Sequence, residues 1–535
     1  MKKVLALFLA LMMCLGLMAC GGDKNPSNTG SPSPTGAQPT ETTSATPVEG
    51  ISEDAQLTVA LPAEPDFLLA PYGNPTVADT TVIPCLFDTL FHGDEDGDIV
   101  PYMAESYEWL DDTHIRITIR KGITAVDGTE FNANDVLYTL QMGNTSNYAA
   151  YFQMYLNVDN CKAEDDWNVV LELATPNPTF LYILCDIPFH MIDQSSVEAS
   201  GGYNANILNP QCGTGRYTLK EWKAGQYIVL ERNDNYWNGM DDCYYKTIKF
   251  TWVSDTASRA INVQSGDVDV AVDLSYADVM AMFDNKNVTV STTPTPRSVN
   301  VTFHCAEGNI FANEKLREAV YYCINSADCA AVLFHGYTNT NETGVPTNVY
   351  YYYDQHDKVE TSIEKAKQCL AEAGYPDGFE FTLVVEPGAG YDVVAELMQA
   401  ELLEAGIKMN LDKVELVDYF GKVAGGNYDA YIGTLSCGDA ITYLNQCDGR
   451  KDYMASHGGP AFYDDEMIGW VDRCYSTDET VSAEAFQQVQ RIAFEKHIFV
   501  GISDFANFTL TSASVTNYTV TPFGYSLIFA FRPAA

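Results

Sequence analysis

Residues 117–136 read ITIRKGITAVDGTEFNANDV and contain, in order, the signals of a strand, a turn and a helix. Isoleucine alternates with polar residues over residues 114–120, which predicts a strand that is buried on one face. The dipeptide Asp127-Gly128 predicts a tight turn. Asn132 or Asn134 then stands where the N-cap of a following helix is expected. The stretch therefore indicates a fold that mixes strands and helices.

The same alternation of elements continues on both sides of this stretch. Strands are predicted at residues 57–61 (LTVAL) and 379–385 (FEFTLVV), and helices at residues 361–373 and 391–405. Thr361 with Glu364 forms a capping-box pattern, and Gly374 stands where a helix C-terminus favours glycine. Successive strands and helices predict α/β architecture.

The N-terminus has the composition of an export signal. Residues 1–19 combine a basic start with an apolar run that is short for a membrane span, and are predicted to be a signal peptide. The run ends in Leu17-Met18-Ala19-Cys20, which resembles a bacterial lipobox. That resemblance implies cleavage before Cys20 and a lipid on its thiol, while the alternative is an ordinary signal peptide with an incidental cysteine. Residues 20–54, rich in Ser, Thr, Pro and Gly, are predicted to be a disordered tether.

Composition limits what the remaining residues can be. Hydrophobic residues make up 46% of the chain, and the length that remains after the tether is sufficient for two or three domains. The formal net charge of -42 disfavours nucleic acid as a partner. The 14 cysteines show no CxxC spacing and no disulfide framework is expected in a core of this size, so we expect many free, buried thiols.

Six segments, in order, resemble the extracytoplasmic solute-binding proteins of peptide- and nickel-type ABC transporters, known as family 5. They are residues 98–109 (DIVPYMAESYEW), 117–136, 213–237, 311–324, 364–379 and 428–435 (YDAYIGTL). Thr124 replaces a phenylalanine and Arg216 a proline that the family usually carries. Within the third segment, Gly213 and Gly215 flank a position that we expect to need unusual backbone dihedrals.

The resemblance implies a two-lobed periplasmic-binding-protein-like fold, of type II and the large cluster C type, that closes about a hinge. Lobe I is expected to comprise residues 55–300 and 507–535, and lobe II residues 301–506. The chain would cross near residues 295–297 and return near Asn507. The implied function is capture of a small solute, above all an oligopeptide, for an ABC permease. Nickel chelates, oligosaccharides and a surface receptor without transport remain alternatives.

The resemblance also suggests where the ligand binds. In peptide-binding relatives an aspartate in the loop after the YDA-type strand pairs with the peptide ammonium group, which points to Asp439 in the loop from Ser436 to Tyr443. The alternative is that Asp439 caps a following helix. Residues 384–403 contain no Lys or Arg, which argues against the carboxylate clamp of dipeptide-binding relatives. Phe67, Tyr72 and Tyr443 are candidates for lining the cleft, or else for core or rim positions.

No enzymatic motif competes with this interpretation. The sequence contains no HExxH and no P-loop, and Ser436 lies in GTLSCG rather than in a G-x-S-x-G elbow. The histidines are dispersed, and His304 is expected to pack in a strand rather than to bind metal. We therefore expect no catalytic residue, cofactor or metal, and a monomer held outside the cell membrane by its lipid.

Overall fold

The computed structural model describes residues 55–66, 68, 75–94, 98–201, 211–240, 243–347, 349, 351–353, 360–387, 390–437, 440–450 and 459–534. The predicted signal peptide, Cys20 and the tether lie outside these residues. Within them, no helix has the length and apolar character that crossing a membrane requires.

Strands and helices alternate through the described chain. The strands are β1 (Gln56–Leu61), β2 (Phe91–Gly93), β3 (Ile99–Pro101), β4 (Ala104–Trp109), β5 (His114–Ile119), β6 (Lys162–Ala163), β7 (Asn168–Glu172), β8 (Tyr217–Lys223), β9 (Tyr227–Arg232), β10 (Thr247–Trp252), β11 (Val270–Leu274), β12 (Val288–Phe303), β13 (Glu380–Val385), β14 (Lys408–Lys413), β15 (Ala430–Ser436), β16 (Phe499–Ser512), β17 (Val515–Thr516) and β18 (Arg532–Pro533). The helices are α1 (Val77–Leu86), α2 (Ala133–Thr145), α3 (Ala149–Tyr155), α4 (Phe180–Ile183), α5 (Gln194–Ala199), α6 (Thr256–Ser265), α7 (Tyr276–Val279), α8 (Glu314–Cys323), α9 (Ser326–Phe334), α10 (Ile363–Glu372), α11 (Tyr391–Glu404), α12 (Leu416–Ala424), α13 (Ala440–Cys447), α14 (Asp465–Cys474) and α15 (Glu479–Glu495). This order confirms the predicted α/β class.

A mixed sheet runs through the molecule in the order β14-β13-β15-β12-β16-β11-β1-β10-β9-β8. Its centre is the antiparallel pair of long strands β12 and β16, which pair from Val288 with Ser512 to Thr302 with Phe499. The register of this pair shifts between Pro294 and Ser298. This irregularity lies at residues 295–297, where the sequence predicts that the chain crosses between lobes. A shift in register bends a strand locally.

The opening stretch folds as its sequence predicts. Ile115, Ile117 and Ile119 on β5 are fully buried in a core beneath the separate sheet β4-β5-β7-β6. Asn132, rather than Asn134, caps α2: its side chain accepts a hydrogen bond from the Asn134 amide at 2.9 Å. Strand and helix thus pack on one core, which also includes Phe152 and Tyr155 of α3.

Two local predictions require correction. Helix α10 is capped by Ser362, whose hydroxyl accepts from the Lys365 amide at 3.2 Å, and not by Thr361. The position between Gly213 and Gly215 has no unusual backbone, because neither Thr214 nor either glycine has a positive φ value. Residues 213 and 215 are glycines because the chain passes against the end of α1, where an added Cβ at either position would overlap the Leu86 carbonyl group.

The cysteines within the described residues form no disulfides. All those in the described residues lack a disulfide partner, and every one except the half-buried Cys305 is buried. This agrees with the expectation from cysteine spacing. The cores that hold these thiols are large enough to be stable without cross-links, in contrast to small disulfide-rich domains.

Candidate functional site

A cavity of about 350 Å³ opens beside the long strands of the central sheet. It is lined by the N-terminus of α1, by α3, by residues 523–526, by β11, β12 and β16, and by Ser436 and Thr442 at the β15–α13 junction. Its walls therefore come from both of the lobes that the sequence predicts. Its volume falls in the range of small-ligand sites.

Stacked rings form one side of the cavity, called here the aromatic wall (Tyr148, Tyr151, Tyr155, Phe523 and Tyr525). The rings of Tyr148 and Tyr151 stack with centroids 4.7 Å apart, and those of Phe523 and Tyr525 lie nearly parallel at 6.0 Å. Tyr148 precedes α3 directly and the other two tyrosines of that segment lie on it, at helical spacing. Flat rings in this arrangement offer a broad apolar surface with hydroxyl groups at its edge.

Asp186 holds the two halves of the aromatic wall together. Its carboxylate accepts hydrogen bonds from the Tyr151 hydroxyl at 2.5 Å and from the Tyr525 hydroxyl at 2.9 Å. The Ile187 amide donates to the same carboxylate at 2.8 Å. Burial raises the pKa of Tyr148 to about 12 and also raises the pKa of Tyr525, so both hydroxyl groups remain protonated at neutral pH.

The cavity is also lined by two charged residues of the central sheet, Asp273 near the end of β11 and Arg297 in the irregular part of β12. Burial raises the pKa of the Asp273 carboxyl, and the positive charges of Arg259 and Arg297 oppose that rise. The cavity thus combines an aromatic wall, which is held by the hydrogen-bonded Asp186 carboxylate, with a further acid and a base, Asp273 and Arg297.

The residues predicted from the loop after β15 fall into two environments. Ser436 lines the cavity and is exposed. Tyr443 is only 3% exposed and packs in a core with Cys437, Leu444 and Cys447, whereas its neighbour Thr442 lines the cavity. Asp439, Phe67 and Tyr72 lie outside the described residues.

Sequence analysis missed the aromatic wall and both charged residues. The stretch YAAYFQMY at residues 148–155 did contain a signal, because its tyrosines recur at helical spacing. No comparable signal marks Asp273 or Arg297. They meet at the cavity only because β11 and β12 both pair with β16.

A second, larger cavity of about 730 Å³ lies within the predicted lobe I, beside Asp88, Arg216 and Phe529. Asp88 accepts hydrogen bonds from Trp237 Nε1 at 2.9 Å, Tyr236 Oη at 3.0 Å and Thr214 Oγ1 at 3.0 Å. The Arg216 guanidinium lies 3.4 Å from the same carboxylate and 4.2 Å from the centre of the Phe529 ring. The buried charges here already have partners, which indicates a structural role.

The described part of the chain contains no group of three or more His, Cys, Asp or Glu side chains placed to hold a metal ion. His304 follows β12, and its Nδ1 lies 3.2 Å from the Tyr428 carbonyl oxygen while the two rings pack together. That contact fits the expected packing role of His304.

Residues 98–453 match the model of a family described as bacterial extracellular solute-binding proteins, family 5 Middle. The glutathione-binding protein GsiB of Salmonella choleraesuis (strain SC-B67) is 27% identical over 413 residues, which cover 75% of this chain and 79% of GsiB. The open, unliganded murein tripeptide-binding protein MppA superposes with a TM-score of 0.79 at 18% identity, over 90% of this chain and 98% of MppA. A dipeptide-binding protein from Pseudoalteromonas sp. SM9913, in complex with Met-Leu, superposes at 0.68 with 19% identity, over 90% and 100%.

Proposed function

Because the chain belongs to the bacterial extracellular solute-binding proteins of family 5, we propose that it captures an oligopeptide in the cavity of about 350 Å³ and delivers it to an ABC permease. Membership of this family makes the chain an extracytoplasmic binding protein of an ABC transporter rather than an enzyme. Its fold is the two-lobed type II fold of periplasmic binding proteins, as its solved neighbours show.

The observation that carries the peptide assignment is the composition of the cavity. The aromatic wall and the charged residues Asp273 and Arg297 line one cavity, and a peptide offers apolar side chains together with charged termini. An oligosaccharide has no charge for Asp273 and Arg297. The names of GsiB, MppA and the Pseudoalteromonas protein, which bind glutathione, a murein tripeptide and Met-Leu, support peptide-like cargo.

Capture is proposed to occur by closure of lobe I (residues 55–300 and 507–535) on lobe II (residues 301–506). The register shift of β12 between Pro294 and Ser298 supports a hinge at the crossing. Ser436 and Thr442 would then approach the ligand from lobe II. Asp439, in the same loop, remains our candidate for the peptide ammonium group.

A lipid on Cys20 and a tether over residues 20–54 are proposed to hold the binding protein beside its permease, as a monomer. Two acyl chains give firm anchoring, because each buried methylene contributes about 0.8 kcal/mol. A surface receptor of the same architecture is the second candidate. It would bind the same ligand without a permease partner.

Native mass spectrometry of gently purified protein tests the assignment, and a thermal-shift screen of peptides, nickel chelates and oligosaccharides supports it. A ligand at a hundredfold excess over its Kd raises the free energy of unfolding by about 2.7 kcal/mol. We expect co-purified peptides and shifts with peptides alone. Shifts with chelates or oligosaccharides and none with peptides would refute the peptide cargo. Asp439→Ala should weaken peptide binding, and unchanged affinity would remove Asp439 from the site.

A further inference from the structure

The cavity of about 730 Å³ beside Asp88 and Arg216 is built differently from the smaller one. All of its lining residues lie between 84 and 216 or between 519 and 530, within the predicted lobe I. The smaller cavity, by contrast, needs residues of both predicted lobes. A ligand in the larger cavity therefore does not require the two lobes to close on it, and the volume falls in the range of small-molecule sites.

The chemistry of this larger cavity favours an uncharged ligand. Apolar side chains form a large part of its wall: Pro84, Phe87, Val520, Leu527 and Phe529. The charged groups at the wall are already engaged, since Asp88 pairs with Arg216 and the Asp94 carboxylate accepts from the Asp98 amide at 2.9 Å. A charged ligand would lose water and meet charges that already have partners, which is costly. An uncharged ligand gains from burial of its apolar surface.

His190 provides a polar group suited to a neutral ligand. It lines the larger cavity and is 5% exposed. Its Nδ1 lies 3.1 Å from the Ile187 carbonyl oxygen, which only accepts, so Nδ1 carries the hydrogen and Nε2 is an acceptor. Burial lowers the pKa of His190 to about 4, so the ring is neutral at pH 7. The hydrogen-bond partner that suits Nε2 is an N–H or O–H group of a ligand.

A hairpin near the C-terminus, residues 519–527, contributes to both cavities. Its turn is closed by the Gly524 amide, which donates to the Thr521 carbonyl oxygen at 2.8 Å. Residues 519–522 line the larger cavity, and residues 523–526 line the smaller one. The two cavities thus share one short structural element as part of their walls.

Close packing around the tip of this hairpin links the two cavities mechanically. Phe523 and Tyr525, which belong to the aromatic wall, stand on the hairpin. The Tyr182 hydroxyl donates to the Pro522 carbonyl oxygen at 3.1 Å, and a Cβ added at Gly93 would come within 2.6 Å of the Pro522 ring. Because tightly packed groups transmit displacements, a ligand that contacts residues 519–522 is expected to change the position of both rings.

We propose that the cavity of about 730 Å³ is a second, regulatory binding site for an uncharged, largely apolar small molecule that carries a hydrogen-bond donor. The apolar wall buries this molecule, His190 accepts from its donor, and the hairpin couples its binding to the aromatic wall. The site itself is independent of the proposed function, whereas the coupling rests on peptide capture in the smaller cavity. Coupling of this kind is reciprocal, so each ligand changes the affinity for the other by the same factor.

Calorimetric titration of the full chain with two matched pairs of probes tests the site. Indole and benzofuran share a shape and differ in the N–H donor, and we expect indole to bind about threefold more tightly or better. Indole-3-acetamide and indole-3-acetate differ in charge, and we expect the amide to bind at least about tenfold more tightly. His190→Phe should remove the preference for indole over benzofuran. Val520→Trp, at a half-buried position of the cavity wall, should weaken binding of every probe.

A control variant and thermal unfolding separate the outcomes. Thr516→Trp places the same ring at an exposed position outside both cavities and should leave probe binding unchanged, and thermal unfolding shows that each variant is folded. Absence of saturable indole binding would overturn the site. Equal affinities within the second pair of probes would overturn its neutral character. Unchanged binding in folded Val520→Trp would overturn its location.

Native mass spectrometry with a pool of tripeptides, with and without saturating indole, tests the coupling. We expect indole to change tripeptide affinity by about fivefold or more in the wild type and to have no effect in Val520→Trp. Unchanged affinity in a wild type that binds both ligands would overturn the coupling and leave the site in place. Failure of every tripeptide to bind, with indole still bound, would refute peptide capture and the coupling that rests on it.

Discussion

Two aspartate–arginine pairs in this protein differ in what surrounds them. Asp88 and Arg216 have side chains that are 2% and 11% exposed, and three further donors converge on the Asp88 carboxylate. Asp273 and Arg297 line the cavity at the central sheet, and the charges of Arg259 and Arg297 act on the Asp273 carboxylate without the converging side-chain hydrogen bonds that Asp88 receives. The first pair is complete within the fold, whereas the second is open to a ligand.

The difference teaches that cavity size alone does not identify the binding site. The larger cavity, of about 730 Å³, lies beside the complete pair, and the smaller one, of about 350 Å³, lies beside the open pair. A saturated carboxylate has nothing left to offer a ligand, because its hydrogen bonds hold its own fold together. A charged group in a cavity that lacks hydrogen-bond partners can form them with a ligand.

The largest effect is expected from breaking the complete pair. Asp88→Ala leaves Arg216, Tyr236 and Trp237 without their shared acceptor in a buried site. Loss of one partner of a buried pair costs about 3–5 kcal/mol, so the free energy of unfolding should fall by that amount in urea titrations. Glu130→Ala, which removes an exposed carboxylate, should leave the transition in place. A stable Asp88→Ala protein would mean that this pair is not structural.

Substitution of Asp273 should have a smaller effect on stability, because Asp273 contributes to the fold mainly through its left-handed backbone conformation. Asp273→Asn keeps a side chain that tolerates the left-handed region and should change the free energy of unfolding by less than about 1 kcal/mol. Asp273→Ala should be less stable than Asp273→Asn by about 1 kcal/mol, because alanine is strained at φ 57°. Chemical denaturation of both variants without ligand measures this difference. Equal stability of the two would show that the backbone relaxes there.

A third carboxylate, that of Glu401, shows the effect of burial where no cation compensates for it. Burial raises the pKa of Glu401 on α11 to about 7. The Asn325 amide donates a hydrogen bond to this carboxylate at 3.3 Å and opposes the rise. No cation among the described residues pairs with Glu401. Between the ordinary pKa of 4.5 and this value the folded state binds more protons than the unfolded state. The contribution of Glu401 to the free energy of unfolding is therefore fully present below pH 4.5 and is lost as the pH rises to about 7.

Glu401→Gln removes that dependence. Relative to the wild type, the variant should become more stable as the pH rises from about 5 to about 8, measured as the shift in urea midpoint. Glu364→Gln, which removes an exposed carboxylate from α10, serves as the control and should show no such trend. A constant difference between wild type and Glu401→Gln across this range would contradict the raised pKa.

Sequence predicted the elements better than it predicted the site. The isoleucine alternation of β5 and the boundaries of α11 are local, so short-range periodicity was sufficient for both. The cap of α10 fell one residue from its predicted position, because Ser362 and Thr361 are both capable of capping and only the packed chain selects between them. The resemblance to family 5, which the family match confirms, supplied the two-lobed fold.

The site depends on contacts between distant parts of the chain. Tyr151 and Tyr525 meet through Asp186, although more than 300 residues separate them along the sequence. Arg297 reaches the cavity because β12 pairs with β16, and nothing near residue 297 announces that pairing. Asp439, Phe67 and Tyr72 stay predictions, and so does a ligand contact from Ser436, which lines the cavity.

A crystal structure of the protein with a bound tripeptide, selected by native mass spectrometry, tests peptide capture most directly. We expect the peptide in the cavity of about 350 Å³, against the aromatic wall and beside Asp273 and Arg297. A peptide in the cavity beside Asp88 and Phe529 would contradict this assignment.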